Sequence, residues 1–224
     1  MKKQIFISPL IAIAITAILF VSCKKDNNCN IKRPFKAKID TWYRISPTEP
    51  QTIVVNGTTY IGFAYFPGGG FGNATGMGTS SFYFNQLVYA ETPDAPPAGS
   101  VAAPVTDAIS YPVTGAPLPL IQAGDFTGLS NADKKLHIPS KVCDAIVNAV
   151  FYDDKGNAIF TSAITGSGGT FPISKTLVGF NGKAIIVGGR GKFENASGAF
   201  NYEGYLNTVD ANDAEYNADG WIVY

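Results

Sequence analysis

The chain has 224 residues, enough for one sizeable all-β domain or two small ones. Charged residues make up only 15% of it, while 24 glycines and 14 prolines supply turn formers, a balance that points to short strands and many turns. Seventeen basic residues offset seventeen acidic ones and no basic patch stands out, which argues against nucleic acid as a partner. The three cysteines, at 23, 29 and 143, are odd in number and contain no CxxC spacing, so neither a zinc site nor a disulfide framework is indicated.

At the N-terminus, Lys2 and Lys3 precede an apolar run from Ile5 to Val21, the outline of a secretory signal peptide. The run falls short of the roughly 20 apolar residues of a membrane span and contains Pro9. Its ending, Phe20-Val21-Ser22-Cys23, resembles the bacterial lipobox. That resemblance implies cleavage after residue 22, a palmitate-type lipid on Cys23, and a lipid-anchored address in the bacterial cell envelope, at the outer membrane. The competing reading is an ordinary signal peptide or uncleaved anchor, with Cys23 a bystander. Loss of residues 1–22 removes Lys2 and Lys3 and leaves 15 basic against 17 acidic residues. Residues 23–35 read as a flexible tether, because Lys24-Lys25-Asp26-Asn27-Asn28 can bury nothing. The tether is similar to those of lipoproteins from Bacteroidetes-type bacteria. Cys29 and Cys143 either pair in an oxidising periplasm or stay apart, and their spacing does not decide between the two.

From Phe35 the pattern alternates, with Lys36, Lys38 and Asp40 opposite Ala37, Ile39 and Thr41, which predicts a half-buried strand. Ile53–Val55 and Tyr60–Phe66 flank Asn56-Gly57, a strong hairpin signal. Pro67-Gly68-Gly69-Gly70 reads as a turn. Gly72 to Gly78 matches neither phosphate-binding glycine pattern and is followed by the strand-like Phe82–Tyr89, so a glycine-relieved bend is expected there. Gly188, Gly189, Gly191, Gly198 and Gly204, spaced around Phe193, Phe200 and Tyr202, predict a second sharp bend with its apolar face turned inward.

These two glycine segments carry a resemblance. Gly72–Gly78, GNATGMG, is similar to the GxATHLG-type segment of bacterial proteins related to the allene oxide cyclase and dirigent-like barrels of the calycin group. Gly189–Gly198, GRGKFENASG, resembles their GTGxFxxATG segment. The resemblance implies one antiparallel β-barrel of about eight strands with both segments at barrel bends. Gly76 stands where relatives often carry His, and no catalytic residue of the plant cyclases falls on a matching position.

Seven prolines lie between Pro93 and Pro119, so residues 92–121 read as a long loop over the barrel mouth, tacked down by Ile109 and Tyr111. His137, the only histidine, reads as a surface or hydrogen-bonded residue in a strand. Asp153-Asp154-Lys155-Gly156-Asn157 reads as a hairpin turn rather than a calcium loop, and so does the oxygen-rich Asp210–Gly220 tail, which lacks a closing Glu. Asn181-Gly182 looks like a second hairpin turn, and Trp221–Tyr224 a closing strand paired with the first.

The expected architecture is therefore all-β: a signal peptide over 1–22, a tether over 23–35 and a single barrel domain over 36–224. The sequence assigns Cys23 as lipid anchor, with no metal and no cofactor, and leaves any catalytic residue unknown. The favoured function is an envelope lipoprotein that meets the membrane through its lipid and binds a small apolar ligand or a partner. An isomerase or cyclase on the same barrel, or a purely structural envelope protein, are the alternatives. Whether the barrel is filled or hollow separates them most sharply.

Overall fold

The computed structural model describes residues 31–115 and 119–224. The expected signal peptide, Cys23, Cys29 and the tether up to residue 30 lie outside the described residues. The first strand, β1 (Arg33–Tyr43), has the foreseen alternation, burying Phe35, Ala37 and Ile39 and exposing Lys36, Lys38 and Asp40. A hairpin of β2 (Ser46–Val55) and β3 (Thr58–Tyr65) turns on Asn56 and Gly57, both at positive φ. Next come β4 (Gly68–Ala74), β5 (Gly78–Phe84), β6 (Gln86–Ala90) and β7 (Gly99–Ala102). A 3-10 turn (Val105–Ser110) and a helix, α1 (Thr127–Leu136), precede the short hairpin of β8 (Lys141–Val142) and β9 (Ala145–Ile146). The remaining strands are β10 (Ala149–Tyr152), β11 (Ala158–Ala163), β12 (Thr170–Pro172), β13 (Leu177–Arg190), β14 (Ser197–Asn207) and β15 (Ala214–Val223).

Eight of these close into an antiparallel barrel in the order β11-β10-β5-β4-β1-β15-β14-β13, with β13 returning to pair β11. The first and last strands are neighbours, Pro34 opposite Trp221. We call the end at which β1 begins the base and the other end the mouth. Near the mouth β12 takes over from β11 alongside β13. Antiparallel barrels with a bore this narrow fill it with side chains or hold one small ligand. Here a column of rings runs up the interior. Phe200 touches Phe35 (5.1 Å), Phe35 touches Phe151 (5.8 Å), Phe151 touches Phe82 (4.6 Å), and Phe82 touches Tyr216 (4.7 Å). Tyr216 in turn stacks on Tyr202 at 5.6 Å, and Phe193 plugs the base against Tyr224 at 4.6 Å.

Both glycine segments are barrel bends at the base. Gly76 adopts φ +76° between β4 and β5. Between β13 and β14, Gly191 sits at φ +61°, and a Cβ on Gly189 would lie 2.1 Å from the Ala158 carbonyl oxygen. Two other glycine readings are corrected. Pro67–Gly70 does not end in a turn, because Gly68–Gly70 open β4. That strand crosses β1 so closely that a Cβ on Gly70 would fall 2.2 Å from the Asp40 carbonyl oxygen. Asn181-Gly182 is not a turn either and runs through the middle of β13. Gly182 faces inward, where a Cβ would stand 2.4 Å from the Tyr202 hydroxyl. Ring volume, not chain reversal, requires that glycine.

The second sheet, β2-β3-β6-β7, lies across the mouth. It is joined to the rim by the Arg44 N–H donating to Pro67 O and by Tyr43 stacking on Phe66. At the far rim the Thr170 hydroxyl donates to Pro97 O. Of the proline-rich stretch 92–121, β7 thus joins this mouth sheet, while the following 3-10 turn packs on the barrel's flank. There Val105, Ala108 and Ile121 form an outer core with Leu129, Ala132 and Leu136 of α1 against Tyr83, Val150 and Phe160. Tyr111 is fastened by the Asn85 amide, which donates to its hydroxyl at 2.7 Å. Arg44, buried at the end of β1, donates twice to Asp125 (2.9 and 3.2 Å) and once to Asn212 (3.3 Å), tying the segment before α1 to the β14–β15 turn.

Two measurements check this packing. Phe193→Ala empties the base plug and is expected to cost about 3–5 kcal/mol. Gly189→Val, driven into a carbonyl, should melt well below wild type as well. Melting temperatures unchanged within a degree or two would contradict the plug. The second concerns alkali. Burial pushes the Tyr83 hydroxyl up to about 12 and raises Tyr111 and Tyr216 further above the ordinary 10.0. The fold favours the neutral phenols, so their contribution to stability is complete below pH 10 and is lost as pH rises through about 12. The tyrosinate absorbance of these buried phenols should therefore appear in one steep step with loss of β circular dichroism. Gradual ionisation of all tyrosines from pH 10 with the fold intact would disagree.

Candidate functional site

The outward side chains of four neighbouring strands make a polar groove of about 680 Å³ on the barrel wall. Strand register builds it from rungs. Asn201 on β14, Asp219 on β15 and Lys36 on β1 stand side by side, as do Glu203, Asn217, Lys38 and, on β4, Asn73. Because side chains alternate across a strand, these residues face solvent while Ala37, Ala74, Tyr202 and Ala218 beneath them turn to the interior. Small alanines under the groove let the wall curve inward.

Electrostatics balance within the groove. Lys36 Nζ pairs with Asp219 at 3.2 Å and Lys38 Nζ with Glu215 at 3.3 Å. The Asn217 amide donates to Glu215 at 2.7 Å, and this bond, followed by Lys38, holds that carboxyl below its ordinary value. Asn73, Asn201 and Glu203 make no side-chain hydrogen bond among the described residues, so their donors and acceptors are presented to an incoming ligand. A second groove of about 250 Å³ shares Asn201 and Asp219 with the first and continues over Ala199, Ile164 and Trp221. The Lys32 ammonium lies 4.3 Å above the Trp221 ring. The joined surface pairs a row of amides and carboxylates with one indole face. It can donate and accept hydrogen bonds, while Lys32 covers a face of the indole.

The sequence-predicted residues are dispersed. Cys23 lies outside the described residues. Cys143, in the β8–β9 turn at φ +53°, is disulfide-bonded. His137 is not in a strand as expected, for it caps the C-terminus of α1 in the left-handed conformation at φ +50°. Asp153 accepts from the Lys155 and Asn157 N–H groups and the Asn157 amide, closing the β10–β11 turn with Gly156 at φ +84°. In the tail, Asp213 accepts from the Tyr205 hydroxyl and the Asn207 amide, and Asp210 from the Asn212 N–H. The groove residues were not singled out from sequence, although the alternation in β1 already placed Lys36 and Lys38 outward. Their juxtaposition with β14 and β15 depends on pairing across the whole chain.

No family model matches the chain, and neither the curated proteins nor the solved structures include one similar to it.

Proposed function

We propose that this chain is a non-catalytic envelope lipoprotein, anchored through Cys23, whose barrel wall binds a glycan in the groove between β4, β1, β15 and β14. The observation that carries the reading is the contrast between inside and outside. The bore is occupied by the ring column from Phe200 to Tyr202, whereas the wall offers unspent amides beside an indole. This favours a partner held on the surface over a small apolar ligand held in the bore. Internal ion pairs leave the groove without a strong net charge, which suits a hydroxyl-rich, neutral chain that both donates and accepts. The tyrosines that line the interior are kept protonated by burial and supply no general base. Kinship with the allene oxide cyclase-like and dirigent-like barrels belongs to the same proposal, supported by both glycine segments standing at barrel bends.

An oligosaccharide array, followed by titration of Trp221 fluorescence with any hit, tests the glycan. Binding to at least one neutral oligosaccharide is expected, weakened at least tenfold by Asn73→Ala combined with Asn201→Ala, with the melting temperature kept. No binding across the array, or variants that bind like wild type, would overturn it.

The anchor is tested separately. Cys23→Ser should abolish labelling by a fatty-acid analogue and move the protein to the soluble fraction. With Cys23 acylated, Cys29 is the cysteine left to partner Cys143. Alkylation of the mature protein should then add nothing before reduction and two groups after it. A free thiol before reduction would contradict the pairing.

A further inference from the structure

The base of the barrel is the basic end of the molecule, and contacts show which side chains share it. Lys192, in the β13–β14 bend, donates its ammonium to Gly76 O in the β4–β5 turn, and its backbone N–H to Asn157 beside Lys155. A Cβ on Gly76 would sit 3.0 Å from the Tyr224 hydroxyl, which accepts from Arg33 at 3.3 Å. On the flank, Arg190 donates to the carbonyls of Leu136 and His137, which brings the end of α1, with exposed Lys134 and Lys135, to the same level. Lys32 precedes Arg33 and is also exposed. Against these seven cations stand four carboxylates, exposed Asp154 and Glu194, Asp153 within its turn, and Asp133, which accepts from the Ile138 N–H, so the cations outnumber the acids. The mouth has the opposite character. Asp210 and Asp213 lie in its β14–β15 turn, Glu91 and Asp94 in the connection between β6 and β7, and its buried cation, Arg44, is neutralised by Asp125.

The described chain also begins at the base. Ile31 leads directly into β1, and only eight residue steps separate it from Cys23. At no more than about 3.5 Å per residue, an anchor on Cys23 holds this end within roughly 28 Å of the membrane. A tethered body with a basic end and an acidic end, attached beside the basic one, turns that end toward negatively charged headgroups once they lie within about a Debye length, near 8 Å. We propose that the barrel base, centred on Arg33, Lys155 and Lys192 with Lys134 and Lys135 at its edge, is a docking surface for anionic phospholipid headgroups. It lays the protein base-down on the membrane with the mouth sheet turned outward. The orientation rests on the lipid anchor at Cys23, but the surface itself does not need the lipid to be detected.

The test uses the mature chain with Cys23→Ser, secreted without acylation, and vesicles of phosphatidylcholine with or without phosphatidylglycerol. Co-sedimentation with the mixed vesicles, weakened by salt and absent with phosphatidylcholine alone, is expected. The triple variant Lys134→Gln, Lys135→Gln and Lys155→Gln removes no side-chain hydrogen bond or ion pair found among the described residues, places no acid in the last turn of α1, and leaves the tether lysines in place. It should keep the wild-type melting temperature and lose at least tenfold in partitioning. Lys175→Glu, on the mouth side, should change nothing. Equal partitioning of wild type and triple variant would overturn the proposal and assign any binding to the tether. Equal binding to both vesicles would overturn it too. Fatty-acid labelling of wild type reads the anchor independently, so a failed anchor and a failed docking surface give different results.

Discussion

The bore of an eight-stranded barrel admits side chains and little else, and most of this structure follows from how that space is filled. Rings occupy it from Phe193 at the base to Tyr202 and Tyr216 near the mouth. Where a ring is large, its neighbour across the wall is reduced: Gly182 lies under Tyr202, and Ala37, Ala74 and Ala218 interleave with phenylalanines. Close-packed interiors tolerate neither voids nor overlaps, so ring and glycine positions are coupled in pairs. The same coupling sets the outer surface. The polar groove lies over the part of the wall that turns Ala37, Ala74 and Ala218 inward.

On the proposed function, filling the bore shifts recognition to the wall. A hollow barrel selects its ligand by enclosing it, whereas a filled one recognises through exposed rungs whose spacing is that of the strands themselves. Four strands contribute to the groove, and their rungs combine an ammonium, a carboxylate and amides at fixed separation. Backbone pairing fixes the spacing of those groups, which would lower the ordering cost of binding the proposed glycan.

Much of the barrel was legible in the sequence because local rules coincide with global ones there. The alternation in β1, the Asn56-Gly57 hairpin and the bends at Gly76 and Gly191 each depend on a few adjacent residues. Asn181-Gly182 was misread because a turn and a ring cavity ask for the same residue, and only the distant Tyr202 tells them apart. Helix α1 escaped notice for a different reason. Thr127–Leu136 is short, includes Gly128, and has no side-chain cap, so its stripe of Leu129, Ala132 and Leu136 acquires meaning only against Tyr83 and Val150. The groove was illegible in principle, since its rungs join residues near position 36 to residues near 201 and 219.

The adjacency of β1 and β15 has a consequence for the order of events in folding. A chain synthesised from its N-terminus presents β1 early, yet the partner on one side of it, β15, is the last of the described strands to be made. Until then β1 is an open edge, the feature by which sheets recruit the wrong chain. Lys36 and Lys38 point outward along it and repel a second copy of the same strand, where apolar residues would invite one. Closure of such a sheet depends on contacts between the extremes of the sequence, which makes it slow relative to local hairpin formation. The lysines that end as rungs of the groove thus serve earlier as guards of an unfinished edge.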